Sequence, residues 1–263
     1  LLNIFKVCIG NGLTMKHLRA ICRIVIFVLI TTSLSSQSVD YKIFPKLDNG
    51  DILLEDFENE KVGDLPEFWR NRDGSGKPKY YDANGKKRYK YQIATEDSNI
   101  FLRYDGLEAK HLSLPLKKSK VINIYENPTL SWRWRAWHLP EGASEMKKKT
   151  NDVALSVYVV FKTVGVFRKP QSIRYTWSST LPADKVLTKF GGKQKIVVLR
   201  SGSQENGRWL IEKRNLVEDY KLFFGAKPPA CPLSILILSD ANNTKDHAKG
   251  DYDDFVLEKL KTE

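Results

Sequence analysis

The nine residues Thr129 to Trp137, Thr-Leu-Ser-Trp-Arg-Trp-Arg-Ala-Trp, fix a β-strand whose two faces differ. Side chains alternate across a strand, so Leu130, Trp132, Trp134 and Ala136 share one side and Ser131, Arg133 and Arg135 the other. A slip of one residue would bury the arginines and expose both tryptophans, so the register is strongly specified. The tryptophan side, with Trp209, is expected to be core, because buried aromatic area dominates core energetics.

From Asp51 onward the chain reads as short β-branched or aromatic runs broken by Gly, Pro, Asn and Asp, the pattern of an all-β fold. Strands are expected at 52–57, 90–94, 99–104, 111–116, 130–137, 153–163, 172–178, 195–200, 209–215, 233–239 and 252–260. So many strands suit two packed antiparallel sheets of the jelly-roll kind, with Leu155, Val157, Val159 and Phe161 pointing into the core. One short connecting helix is expected at 216–224, where Leu216, Tyr220 and Phe223 recur at helical spacing and Gly225 supplies a stop. Residues 72–90 read as a long loop or a small hairpin turning at Asn84-Gly85. No internal repeat divides the chain, so 51–263 is expected to be a single β-sandwich domain, preceded by a short linker at 36–50.

Residues 1–35 read as an N-terminal extension plus a cleaved export segment. Met15 is a better start than Leu1, because Lys16, Arg19 and Arg23 then precede the apolar run Ile24 to Ile30, with small residues following. That run is shorter than the ~20 residues a bilayer-spanning helix needs. An uncleaved anchor is the alternative, and the mature form is expected to carry no transmembrane helix. The expected compartment is periplasmic or secreted. Cleavage removes Cys8 and Cys22, leaving Cys231 as a structural thiol with no disulfide partner.

The full chain carries a net charge of +12, and the first 35 residues hold four positive charges and no acid, leaving +8 in the mature form. Basic runs at Lys86 to Arg88, Lys117 to Lys120 and Lys147 to Lys149 could attract anionic glycans, lipid headgroups or nucleic acid. They also suit plain solvated loops that shield sheet edges. Nucleic acid is not an expected partner.

Several constellations are candidates for chemistry. Glu55, Asp56, Glu58, Asp253 and Asp254 bring hard oxygen ligands from both chain ends, as a structural calcium requires, with Glu55, Glu58 and Asp253 the candidate ligands. Acids on a solvated strand edge are the plainer reading. Asp240 with Asn242, Asn243, Thr244 and Asp246 suits either a sugar or metal site or a turn. If the registers hold, Arg133, Arg135, Asp152, Ser156, Tyr158 and Arg200 share one sheet face, with Tyr175 and Trp177 on a neighbouring strand. Open, that face would bind a glycan, its arginines suiting carboxylated or sulfated sugars; closed, it would be an internal Arg–Asp network. Asp152, Glu205, Glu212 and Asp240 are the carboxylates from which a glycosidase pair would come. No zinc motif, nucleophile elbow, Walker loop or dinucleotide fingerprint occurs.

Four blocks together resemble a bacterial secreted family, domain of unknown function 3047. They are Leu130 to Arg135; Asn151 to Phe161; Val198 to Gly202 with Trp209, Arg214 and Asp219-Tyr220; and Ser239 to Thr244 with Gly250 to Phe255. The resemblance implies export and a β-sandwich, and brings no catalytic residues. Separately, Leu53 to Asn59 paired with Gly250 to Glu258 is similar to jelly-roll carbohydrate-binding modules, whose first and last strands lie adjacent. The favoured expectation is an exported, non-catalytic β-sandwich that binds a carbohydrate or another envelope component. The alternatives are a carbohydrate-active hydrolase or lyase, and a structural or protein-interaction component of the envelope.

Overall fold

Alternating burial builds both layers of the fold. The computed structural model describes residues 42–261 except 75, 80–83, 86–89 and 118. The segment read as an export signal, the Lys86 to Arg88 run and much of the 72–90 segment therefore lie outside the described residues. Twelve strands are described: β1 (Ile52–Glu55), β2 (Tyr91–Glu96), β3 (Asn99–Gly106), β4 (Lys110–Pro115), β5 (Thr129–His138), β6 (Val153–Val164), β7 (Lys169–Ser178), β8 (Val186–Lys189), β9 (Gln194–Ser201), β10 (Leu210–Asn215), β11 (Ser234–Asp240) and β12 (Ala248–Glu258). Helix α1 (Leu216–Phe224) starts at Asn215, whose side chain accepts the backbone N–H bonds of Val217 and Glu218, and stops at Gly225 in the left-handed conformation.

The first sheet runs β10-β5-β12-β3-β2, with β1 also paired to β12, and the second runs β4-β11-β6-β7-β9-β8. Within them, β3-β12-β5-β10 faces β4-β11-β6-β7, the interleaving of two Greek keys that defines a jelly roll. One strand departs from the antiparallel expectation: β9 lies parallel to β7, because β8 returns along the sheet edge and β9 inserts between the two. The stretch read as a linker takes part in the fold as well. Phe44 is buried in the core, and Leu53 N–H bonds back to the Pro45 carbonyl.

Between the sheets, Trp132 and Trp134 of β5 meet Tyr175 and Trp177 of β7, with ring centroids 5.6 and 6.0 Å apart. All four are buried, as are the inward Leu155, Val157, Val159 and Phe161. Three of the four aromatic polar atoms find partners at the sandwich edge: Trp134 Nε1 donates to Glu212, Tyr175 Oη to Asp219 on α1, and Trp177 Nε1 to the Gly202 carbonyl. Arg200 Nε also donates to Glu212 (2.6 Å), so one carboxylate ties the core to the loop end of β9. The sheets approach closely where Gly250 of β12 faces Leu155 of β6. A Cβ on Gly250 would lie 2.6 Å from Leu155 Cδ2. Gly250→Ala should therefore destabilise the sandwich by about 1–3 kcal/mol through overpacking. Urea unfolding should show a lower midpoint at an unchanged slope; an unaltered midpoint would show that this approach is not tight.

Candidate functional site

The arginine face of β5 closes on itself. Asp251 on β12 is fully buried and accepts bonds from Arg103 Nε (2.8 Å) and Nη2 (3.0 Å), Arg135 Nε (2.9 Å) and Trp137 Nε1 (2.7 Å). Arg135 pairs also with Glu96 (2.5 Å), and Arg133 with Asp253 (2.6 Å) and Asp254 (2.7 Å) while bonding Asn99. Aromatic rings layer over these cations, with Arg135 4.5 Å from the Trp137 centroid and 4.6 Å from that of Trp209, and Arg133 4.8 Å from Trp209. Trp209, expected in the core, sits instead on this outer face against Phe101. The outer face of the first sheet is thus a paired and stacked network, with Arg135 only 5% exposed.

The outer face of the second sheet is built differently. Strand registers align Ser113, Leu236, Tyr158, Arg174 and Ile196 across β4, β11, β6, β7 and β9. Next to that row run Pro115, Ser234, Val160, Ser172 and Gln194. The backbone of Arg70 bridges to Ser113, extending the β4 edge and bringing Arg72 and Asp73 up as a wall. The result is a groove of about 870 Å³ floored by Tyr158, Val160, Ser172 and Leu236 and rimmed by Arg72, Lys117, Lys162 and Arg168. A depression of about 620 Å³ between the 59–67 loop and Lys77-Pro78 has no aromatic lining and lies away from both faces.

Arg174 lies buried beside Tyr158, behind the lining of the groove. It is 3% exposed, donates through Nε to Ser156 Oγ (2.9 Å) and lies 5.5 Å from the Tyr158 ring centroid. Its Nη2 is buried without a hydrogen-bond partner, and among the described residues it forms no ion pair. Burial, and the cations Arg72 and Arg174, push the His111 pKa down to about 3, so its imidazole is neutral at pH 7. Burial first, and then the Asp152 charge, raise Asp240 to about 6, although the Asn242 N–H bond and Arg174 pull the other way.

The residues grouped from sequence divide among five places. Arg133 and Arg135 belong to the closed network of the first sheet. Tyr158 and Asp240 belong to the second sheet's outer face, near Arg174. Arg200 stands at the sandwich edge with Glu205 and Glu212. Tyr175 and Trp177, expected to be exposed for stacking, are instead core side chains, because the alternation of β7 turns them inward and Arg174 outward. Asp152 is fully buried, and its two oxygens accept four bonds from Asn243 and Thr244, which makes it the clamp of that turn.

The three acids considered for calcium do not gather. Glu55 accepts from Trp69 Nε1 and pairs with Lys42, Glu58 accepts the Ile100 N–H, and Asp253 holds Arg133. Among the described residues no group of three or more His, Cys, Asp or Glu is placed to hold a metal ion. Burial raises the pKa of the half-buried Cys231 thiol, in keeping with a structural role. The residues missed from sequence are Arg174, His111, Arg72 and Arg168. The run Ile173-Arg174-Tyr175-Thr176-Trp177 carries the same two-faced signal as β5 and places Arg174 outward.

The family profile described as protein of unknown function (DUF3047) matches residues 77–256. The chain belongs to the DUF3047 family. No curated protein matches it. Among solved structures it is similar to the family 11 carbohydrate-binding module of a cellulosomal cellulase of Clostridium thermocellum, at 11% identity, with 81% of this chain and 97% of the module covered and a TM-score of 0.37. The CBM27-1 module of Caldicellulosiruptor saccharolyticus, in complex with mannohexaose, is 12% identical over 81% of this chain and 98% of its own, with a TM-score of 0.36. The cleaved adhesin domain K3 of Lys-gingipain from Porphyromonas gingivalis is 17% identical over 78% of this chain and 98% of its own, with a TM-score of 0.32. These likenesses are distant, and no residue role passes from them to the DUF3047 chain.

The closed network predicts a stability phenotype. Arg135→Ala leaves the buried Asp251 with Arg103 as its remaining counter-charge and should cost about 2–3 kcal/mol in chemical denaturation. A loss under about 1 kcal/mol would mean that the network is a loosely solvated surface cluster.

Proposed function

We propose that this DUF3047 protein is an exported, non-catalytic binding protein whose second-sheet groove takes an acidic saccharide or a similar anionic polymer of the cell envelope. The observation that carries this reading is the charge imbalance of the groove. Four rim cations surround a floor with one tyrosine and several hydroxyl and amide groups, and Asp73 is the one carboxylate among the lining residues. The rim cations offer charge-assisted bonds to a carboxylate, sulfate or phosphate on a ligand. Tyr158 offers an apolar edge beside the hydroxyl-bonding groups Ser113, Ser172 and Gln194, the mixed lining that a sugar ring needs.

Three of the four carboxylates a glycosidase would draw on are engaged elsewhere. Asp152 is saturated by its turn, and Glu205 and Glu212 hold Arg200. That arrangement favours binding over hydrolysis. Among the described residues no helix is long and apolar enough to cross a membrane. Export rests on the sequence of the N-terminal segment.

An array of neutral and acidic glycans tests the proposal directly. Retention of uronate- or sulfate-bearing polymers is expected, with neutral ones bound weakly or not at all. The pair Arg72→Glu and Arg168→Glu should weaken retention about tenfold or more while leaving the melting temperature near the parent's, since both side chains are exposed. Tyr158→Ala should weaken it as well. An array with no acidic glycan retained, or variants that bind as the parent does, would overturn the assignment.

A further inference from the structure

Turns are normally built from Gly, Asn, Asp, Ser and Pro, because these residues tolerate tight backbones and face water. Two neighbouring turns at one end of the second sheet break that rule. The β6–β7 hairpin turns through Gly165-Val166-Phe167-Arg168, where Val166 is 94% and Phe167 85% exposed. The β8–β9 hairpin turns through Phe190-Gly191-Gly192-Lys193, where Phe190 is 73% exposed. Because Ser172 of β7 pairs in parallel with Gln194 of β9, and Ser172 N–H bonds the Lys193 carbonyl at 3.0 Å, the two turns project side by side from adjacent strands.

Phe190 is the informative residue. Its φ of +52° lies in the left-handed region, which a bulky side chain occupies only at a cost and which Gly or Asn fills without one. Exposure returns no burial energy to offset that strain. The residue therefore does nothing for the isolated fold, and its apolar ring needs another reason to stand there. The surrounding charge supplies the chemistry: residues 161–172 and 186–196 contain Lys162, Arg168, Lys169, Lys189, Lys193 and Lys195 and no acid.

We infer that this end of the sandwich docks on an anionic lipid surface, with Val166, Phe167 and Phe190 entering the headgroup layer and the lysines and arginines meeting lipid phosphates. Apolar side chains set among cations are what such an interface binds, combining buried apolar area with attraction to the negative surface. The surface shares Lys162 and Arg168 with the rim of the groove but not its Tyr158 floor, and it stands whether or not the groove takes a saccharide.

Vesicle co-sedimentation tests it, using residues 42–263, a compact unit that holds the core formed by the described residues. The protein should bind vesicles of phosphatidylglycerol with phosphatidylcholine, bind phosphatidylcholine alone much more weakly, and bind less as salt rises. The double variant Phe167→Ser with Phe190→Asn should lose roughly tenfold or more in partitioning. Phe190→Asn alone should melt at or above the parent's temperature, which separates lost docking from lost folding. Tyr158→Ala should bind vesicles as the parent does. Equal binding by the double variant, or no binding to anionic vesicles at low salt, would overturn the inference. So would self-association of the parent that the same variant abolishes, which would assign the tips to a second copy of the chain.

Discussion

One carboxylate organises the first sheet. Asp251 sits on β12 between β3 and β5, fully buried, and binds an arginine from each neighbour together with the indole of Trp137. A charge in that position persists only when it is paired and hydrogen-bonded. Its partners must therefore come from both flanking strands in register, and the same register sends Trp132 and Trp134 to the opposite side, against Tyr175 and Trp177. The salt-bridged outer face and the aromatic core are two sides of one alternation.

The contrast between the two outer faces points to where a ligand belongs. On the first sheet three arginines meet Glu96, Asp251, Asp253 and Asp254, and three aromatic rings cover them. That face has little charge left to offer. On the second sheet Arg174 has a hydroxyl and a tyrosine ring for company and no carboxylate in ion-pair contact, and more cations stand around the groove above. The first arrangement spends its charge within the fold, and the second leaves charge available to a partner.

Most of the fold was legible in the sequence because its strands are strongly patterned. Eleven of the expected strands and the helix stopped by Gly225 lie where the runs and turn residues put them. Strand β8 was not read, since Val186 to Lys189 is four residues long at a half-exposed edge and leaves hardly any period to detect. The parallel placement of β9 follows from β8 and was hidden with it. The site was less legible for a different reason. Alternation tells which residues share a face of one strand, but not which faces of different strands coincide. Arg133 and Tyr158 therefore looked like neighbours although they lie on opposite outer faces of the sandwich. Tyr175 and Trp177 are a simpler case, because the two-residue period that sorts β5 also sorts β7 and turns both inward.

The central claim is that the second sheet's outer face carries the ligand while the arginine face of the first is part of the fold. Hydrogen–deuterium exchange, with and without the acidic polysaccharide best retained on the array, tests it most directly. Added protection should fall on Arg72 to Gly74, β4, the Tyr158 to Lys162 stretch of β6 and the start of β7, with β5 and β12 unchanged. Protection gathered instead on β5 and β12, around Arg133 and Arg135, would show that the closed network opens to ligand and would contradict the account.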